Sequence, residues 1–263
     1  MAVLSELGGP VKQDQSEPGV VTGMMSGRGR EPGLRHDYNY PSGKIKGHVM
    51  NWKDLEKHFS IARLGRYQTA RGGDLAGAAL DYAFNLRLAE SMMPVLNTLE
   101  IALRNGIHRR LSARYMRPDW WEEWKSDPIF KWQNNEIAKA IAKLNRRHES
   151  RTPDKVIAEL TFGFWSSLFN TQFQDVLWKE LRLVFSRCPK PLRQRHNVSA
   201  ALNQIRDLRN RIFHHEPLLW LKPPLTEQHA AGIKIINWIE PELAKWLAEL
   251  DRMMEVWISW RKA

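Results

Sequence analysis

The segment Arg206-Asp207-Leu208-Arg209-Asn210-Arg211-Ile212-Phe213-His214-His215-Glu216-Pro217 carries the densest set of side chains able to do chemistry. On a helical wheel advancing about 100° per residue, Ile205, Leu208 and Ile212 define an apolar face, and Arg209 falls in its middle. Arg206, Asn210 and His214 form a second stripe at i, i+4 and i+8, while Arg211 shares a third with His215. An arginine on an apolar face must be paired or must face a groove, because an unpaired buried charge costs several kcal/mol. A guanidinium beside an imidazole also suits phosphodiester chemistry. Arginine holds a phosphate through two N–H groups. Histidine exchanges a proton near neutral pH, as base toward a ribose 2′-hydroxyl or as acid toward the leaving oxygen. The competing reading is structural: Arg209 pairs with a core carboxylate and the histidines cap carbonyls at a helix end. Neighbouring histidines on a helix point about 100° apart, so His214-His215 is not a zinc motif.

A second cluster is Leu99-Glu100-Ile101-Ala102-Leu103-Arg104-Asn105-Gly106-Ile107-His108, in which Glu100, Arg104 and His108 line one stripe beside the apolar one. Its simplest explanation is an i, i+4 ion pair between Glu100 and Arg104. A support role is the alternative, with Glu100 or Asn105 orienting the Arg209 segment. In the third cluster, Val156 to Trp165, the run Phe162-Gly163-Phe164-Trp165 could stack on bases. Core packing is the favoured reading, with Gly163 allowing a close helix approach; Trp120, Trp121 and Trp124 read likewise as packing. The chain has no P-loop, no Gly-rich dinucleotide fingerprint, no Gly-x-Ser-x-Gly elbow and no His-Glu-x-x-His, so nucleotide hydrolysis, hydride transfer and zinc proteolysis lose support.

Helices must position these clusters. Asp74 is a plausible N-cap for a helix running to about Met93, with an apolar stripe of Ala76, Ala79, Leu80, Ala83, Leu86 and Leu88. After Pro94 the pattern resumes with Leu96, Leu99, Leu103, Ile107 and Leu111 at steps of three and four. Thr152-Pro153-Asp154 predicts a helix start. Asn197 can cap a helix carrying Val198, Leu202, Ile205, Leu208 and Ile212 that stops near Pro217. Pro241 opens a last helix whose Leu243, Leu247, Leu250, Met254 and Trp257 form a packing seam, within the bundle or against a second subunit. No period-two strand run competes. The expected fold is all-α: a helical bundle over residues 49–263 behind a disordered leader over residues 1–48, where Gly, Pro and Ser interrupt any periodicity and no tryptophan occurs.

Composition narrows the partners. Of the 263 residues, 40 are Lys or Arg against 29 Asp or Glu, and residues 49–263 hold 34 of the basic and 24 of the acidic ones. A basic folded body suits a polyanion, meaning nucleic acid or an anionic membrane surface. No stretch is long and apolar enough for a transmembrane helix, and the N-terminus lacks the basic and apolar regions of a secretory signal. The single cysteine, Cys188, leaves no internal disulfide and no cysteine-based zinc site. A cytoplasmic protein without membrane partner, metal or cofactor is expected.

Four blocks together resemble the Abi-like (abortive infection) proteins of bacteria, which belong to the wider HEPN group. They are Ile61-Ala62-Arg63-Leu64-Gly65-Arg66-Tyr67, Leu99 to Asn105, Ile157 to Trp165 and Leu208 to Pro217, in the expected order over about residues 51–220. The HEPN signature is Arg, often followed by Asn, then His after four to six residues in total. Arg209 and Asn210 followed by His214 match it with four between, and His215 would match with five. The resemblance implies a helical bundle that acts, in many members, as a metal-independent endoribonuclease, with Arg and His of two copies meeting across a homodimer. Arg209 and His214 lie about 140° apart on an ideal helix, so either the helix unwinds before Pro217 or a second copy completes the site. Arg104 to His108 is one residue short of the signature and is not a second catalytic motif.

The leading expectation is an RNA-cleaving enzyme of a phage-defence or toxin-like system. Arg209 would hold the scissile phosphate, His214 or His215 would move the proton, and Asn210 would orient phosphate or imidazole. Glu100, Arg104 and Asn105 would support them, and an antitoxin-like protein or RNA partner could restrain the activity. A second reading is a non-catalytic RNA-binding or protein-interaction module. A third is a purely structural dimer built on the Leu243–Trp257 seam.

Overall fold

The computed structural model describes residues 50–263, and the leader expected over residues 1–48 lies outside them. The described residues are helical, with no β-strand among them. In chain order the α-helices are α1 (Trp52–Phe59), α2 (Ile61–Ala70), α3 (Leu75–Ser91), α4 (Met93–Tyr115), α5 (Lys131–Arg146), α6 (Pro153–Glu159), α7 (Phe162–Ser167), α8 (Gln174–Leu181), α9 (Arg195–Phe213), α10 (Leu225–Ile239), α11 (Pro241–Ala248) and α12 (Met253–Arg261). Short 3-10 turns at Trp120–Trp124 and Arg182–Phe185 fill corners between them.

The longest helix, α4, forms the centre. Its stripe of Leu96, Leu99, Leu103, Ile107 and Leu111 is buried, as the spacing predicts, and α10, α7, α8 and the Arg182–Phe185 turn pack around it. Two glycines set how closely. A Cβ on Gly232 of α10 would come within 2.8 Å of Val95 Cγ1, and one on Gly106 of α4 within 2.8 Å of Val184 Cγ1. Backbones can approach at these points because no side chain intervenes. Trp120, Trp121, Trp124, Phe162, Phe164 and Trp165 are buried, which establishes packing for them. Trp124 stacks on Phe130 with ring centroids 4.2 Å apart. Gly163, however, has only the Thr161 hydroxyl oxygen near its Cβ direction, at 3.5 Å, so no close helix approach depends on it.

Asp74 caps α3 as its position predicts, accepting from the N–H groups of Ala76 and Gly77. The expected stripe of α3 is buried only in part: Ala79 and Leu88 are buried and Leu80 packs against the core. Ala76 and Leu86 are exposed, whereas Ala78, Tyr82, Phe84 and the polar Asp81 and Asn85 are buried. The wheel is incomplete because α3 is covered on more than one side, by α2 and by α12, and because three of its inward positions, Asp81, Asn85 and Ser91, are polar. Asp81 receives both Nε and Nη2 of Arg71, at 2.7 and 2.6 Å, and the indole N–H of Trp260, at 2.7 Å. That ion pair holds the Arg71 guanidinium above its ordinary pKa, chiefly through the hydrogen bond.

Two helix boundaries also differ. Asn197 lies inside α9, which begins at Arg195, and its amide donates to the Leu192 carbonyl instead of capping. The Leu243–Trp257 seam is not continuous: the chain breaks between α11 and α12, so that Leu247 is buried and Leu243 and Trp257 pack against the core as expected, while Leu250 and Met254 are exposed and Met253, Val256 and Trp260 are buried in their place. Asp251 explains the break. One of its oxygens accepts from Met253 N–H just ahead of α12, while the other lies 2.6 Å from His229 Nε2 on α10. The seam is thus divided between two helices rather than carried as one stripe. No described helix is long and apolar enough to cross a membrane.

Candidate active site

Ile205, Leu208 and Ile212 bury the inner face of α9, and this anchoring puts Arg209 against α4. There its Nε donates to Glu100 Oε2 at 3.2 Å. Both side chains keep about a quarter of their surface exposed, 26% for Arg209 and 24% for Glu100. On its other side the guanidinium lies over the Phe213 ring, 4.5 Å from the centroid, a cation–π contact one helical turn along. The bond to Glu100 uses Nε, so the terminal amino groups of Arg209 remain able to grip an oxyanion. The expected Glu100–Arg104 pair does not form. Glu100 turns to Arg209, and Arg104 donates through Nε to Asn105 Oδ1 at 3.1 Å.

α9 ends before both histidines. Its last helical residue is Phe213; His214 follows at φ −86°, ψ 4°, and His215 takes the left-handed φ of 56°. Pro217 cannot continue a helix, and Glu216 N–H closes the end by donating back to the Arg211 carbonyl at 2.9 Å. The helix therefore ends at Phe213, ahead of Pro217. The His214 and His215 side chains are exposed, as is Asn210. Arg206 is drawn to its neighbour Asp207 at 3.2 Å.

An imidazole does not cap the helix-end carbonyls; Arg63 does. From α2 its Nη1 donates to the His215 carbonyl at 2.9 Å and approaches that of His214 at 3.4 Å. A buried amide then fixes the chain just beyond. Asn85 accepts from Leu218 N–H at 2.6 Å and donates to the Glu216 carbonyl at 3.3 Å. Arg211 pairs with Glu216 at 3.0 Å. Arg63 and Asn85 position the histidine turn across more than 130 residues of sequence. Arg63 stands in the first of the quoted blocks, but nothing in local periodicity marks either residue for this task.

Further along α4, the polar stripe reaches His108. The indole N–H of Trp120 donates to His108 Nδ1 at 3.0 Å. Because an indole nitrogen only donates, Nδ1 is the bare nitrogen and Nε2 carries the proton of the neutral ring. Burial pushes the His108 pKa below its ordinary value, against the pull of Asp154 and helped by Arg109 and Arg104. A pocket of about 320 Å³ opens here, lined by Arg104, Asn105, His108, Arg109, Asp154 and Ile157. On the other side of Asn105 and Arg109 lies a larger groove of about 1170 Å³ between α4 and α11, with Ile101, Leu243 and Trp246 among its walls. Among the described residues no three His, Cys, Asp or Glu side chains gather as a metal-binding group.

The structure thus brings Arg209 to Glu100 and Arg104 to Asn105, and places His214 and His215 at the end of the same helix as Arg209. No curated protein and no solved structure matches the chain. A family model described as Abi-like protein matches residues 45–220, about two-thirds of the chain, and that span contains both α4 and all of α9 with its histidine turn. The chain belongs to the Abi-like protein family.

Proposed function

We propose that the protein is an endoribonuclease of the HEPN type, serving abortive infection or a toxin-like response, that cleaves RNA through the ribose 2′-hydroxyl without a metal ion. The observation that carries this reading is the end of α9. A guanidinium oriented by Glu100 and Phe213 lies one turn before two exposed imidazoles on a tightly fastened turn. Arg209 grips the non-bridging oxygens of the scissile phosphate. One histidine, His214 or His215, takes the proton of the 2′-hydroxyl as its oxygen attacks phosphorus; an imidazolium gives a proton to the departing 5′-oxygen. The products are a 2′,3′-cyclic phosphate and a free 5′-hydroxyl. Asn210, exposed on the same helix, orients the phosphate or the imidazole. A homodimer, as the family resemblance implies, would set the Arg and His of two copies around one phosphate, and the cytoplasm is where such an enzyme meets its substrate.

Single substitutions test the assignment. Arg209→Ala should abolish cleavage, and His214→Ala or His215→Ala should do so for whichever histidine moves the proton. A strand with 2′-deoxyribose at the cut should be bound and left intact. Wild-type rates in Arg209→Ala and in the double His214→Ala/His215→Ala protein would contradict it. A second reading, an RNA-binding module without turnover, is favoured by the basic body alone. It predicts binding that weakens steeply with salt and no cleavage by the wild type.

A further inference from the structure

The small pocket on α4 is not used by the chemistry above, and its lining is unusually uniform. Arg104 and Arg109 have no carboxylate within 4 Å among the described residues, their charges both bear on His108, and Asn105 has its oxygen engaged by Arg104. Asn105 therefore presents its amino group, and Trp120 fixes His108 with its Nε2–H outward. Four side chains offer N–H donors. The one acid is Asp154, 91% exposed, with Oδ1 3.9 Å from His108 Nε2. A cation is repelled by such a lining. A metal would need the Nε2 lone pair, which the ring lacks while Trp120 donates to Nδ1. A tetrahedral oxyanion, which accepts hydrogen bonds in every direction, is the ligand chemistry that a lining of donors suits.

We propose that Arg104, Asn105, His108 and Arg109 form a second anion site that holds a backbone phosphate of the RNA strand, apart from the phosphate that is cut. The inference rests on the ribonuclease reading for its ligand. Glu100, Arg104 and His108 occupy successive turns of one face of α4, so the pocket begins about 6 Å along the axis from the Glu100–Arg209 pair and ends about 12 Å from it. One strand can reach both. The pocket grips the sugar–phosphate chain without reading bases and so fixes which phosphate falls against Arg209. His108 is a positioning residue here: it donates one hydrogen bond and exchanges no proton.

The test uses the full chain and a 2′-O-methyl tetranucleotide, which binds but has no 2′-hydroxyl to attack. Binding is followed by fluorescence anisotropy at several salt concentrations, and His108 by the ¹⁵N resonances of its ring. The strand should shift the His108 Nε2 signal. Arg109→Gln, at an exposed position, should weaken binding about tenfold and lower the slope of log affinity against log salt by about 0.7, the share of one single-strand phosphate. Asp154→Asn should tighten binding severalfold. Lys53→Gln/Lys57→Gln, two exposed positions on α1, should change it less than about twofold. The proposal is overturned alone if the strand binds and wild type cuts RNA while His108 does not move and both pocket variants bind like wild type. It is also overturned if inorganic phosphate shifts His108 but the strand does not, which would make the pocket a site for a small free anion. If the wild type neither binds nor cuts RNA, the ribonuclease reading fails first and takes this one with it.

Discussion

Arg209 has one nitrogen bonded to Glu100 and one face on Phe213, so its orientation depends on that carboxylate. Glu100→Gln keeps an oxygen acceptor and removes the charge. Because the pair is partly exposed, the substitution should change stability by less than about 1 kcal/mol, yet lower RNA cleavage about tenfold as the guanidinium loosens. Melting curves beside initial rates separate the two effects; equal rates in both proteins would remove Glu100 from the site. His108 makes a different prediction. Its pKa is depressed by burial in the folded chain and sits near 6.5 when unfolded, so the unfolded state binds more protons between those two values. Stability should therefore rise with pH across that window and level off above the unfolded value. Denaturant titrations from pH 5 to 7.5 should show this slope, and His108→Gln should flatten it. A slope unchanged in the variant would assign it to another group.

At the scale of the helices, what could be read in advance depended on how many sides of a helix are covered. α4 presents one apolar stripe to α10, α7 and α8, and its five leucine and isoleucine positions are legible from spacing alone. α9 is legible for the same reason, and with it the inward placing of Arg209. α3 is legible only in part, through Ala79 and Leu88, because it is enclosed on more than one side and its inward face includes Asp81 and Asn85. Nor was the break between α11 and α12 visible, since the turn in which Asp251 bonds Met253 N–H and His229 competes with an apolar pattern that runs straight through it. The site divides along the same line. Arg209, Asn210, His214 and His215 share one segment and could be named together. Arg63, Asn85 and the Trp120–His108 bond join segments by tertiary contact, for which local spacing carries no signal. Asp81 gives this scale its prediction, because it fastens the end of α2, α3 and α12 at once. Asp81→Ala leaves Arg71 and the Trp260 indole without their acceptor and should cost about 3 kcal/mol in denaturant unfolding. A loss under about 1 kcal/mol would show that the three helices are held by apolar packing alone.

Across the whole molecule, residues 49–263 hold 34 basic against 24 acidic residues; on the proposed ribonuclease reading, that excess would supply the sequence-independent attraction to RNA. The two long-range ties on the histidine turn, from Arg63 of α2 and Asn85 of α3, fasten these early helices to the end of α9, near the far end of the family span. The measurement that bears most directly on the central claim is incubation of the purified protein with mixed cellular RNA in excess EDTA, beside an Arg209→Ala/His214→Ala/His215→Ala protein. Cleavage by the wild type only, leaving 2′,3′-cyclic phosphate ends, is the expected result. Intact RNA in both tubes, or equal cleavage in both, would contradict a nuclease centred on Arg209 and the histidine turn.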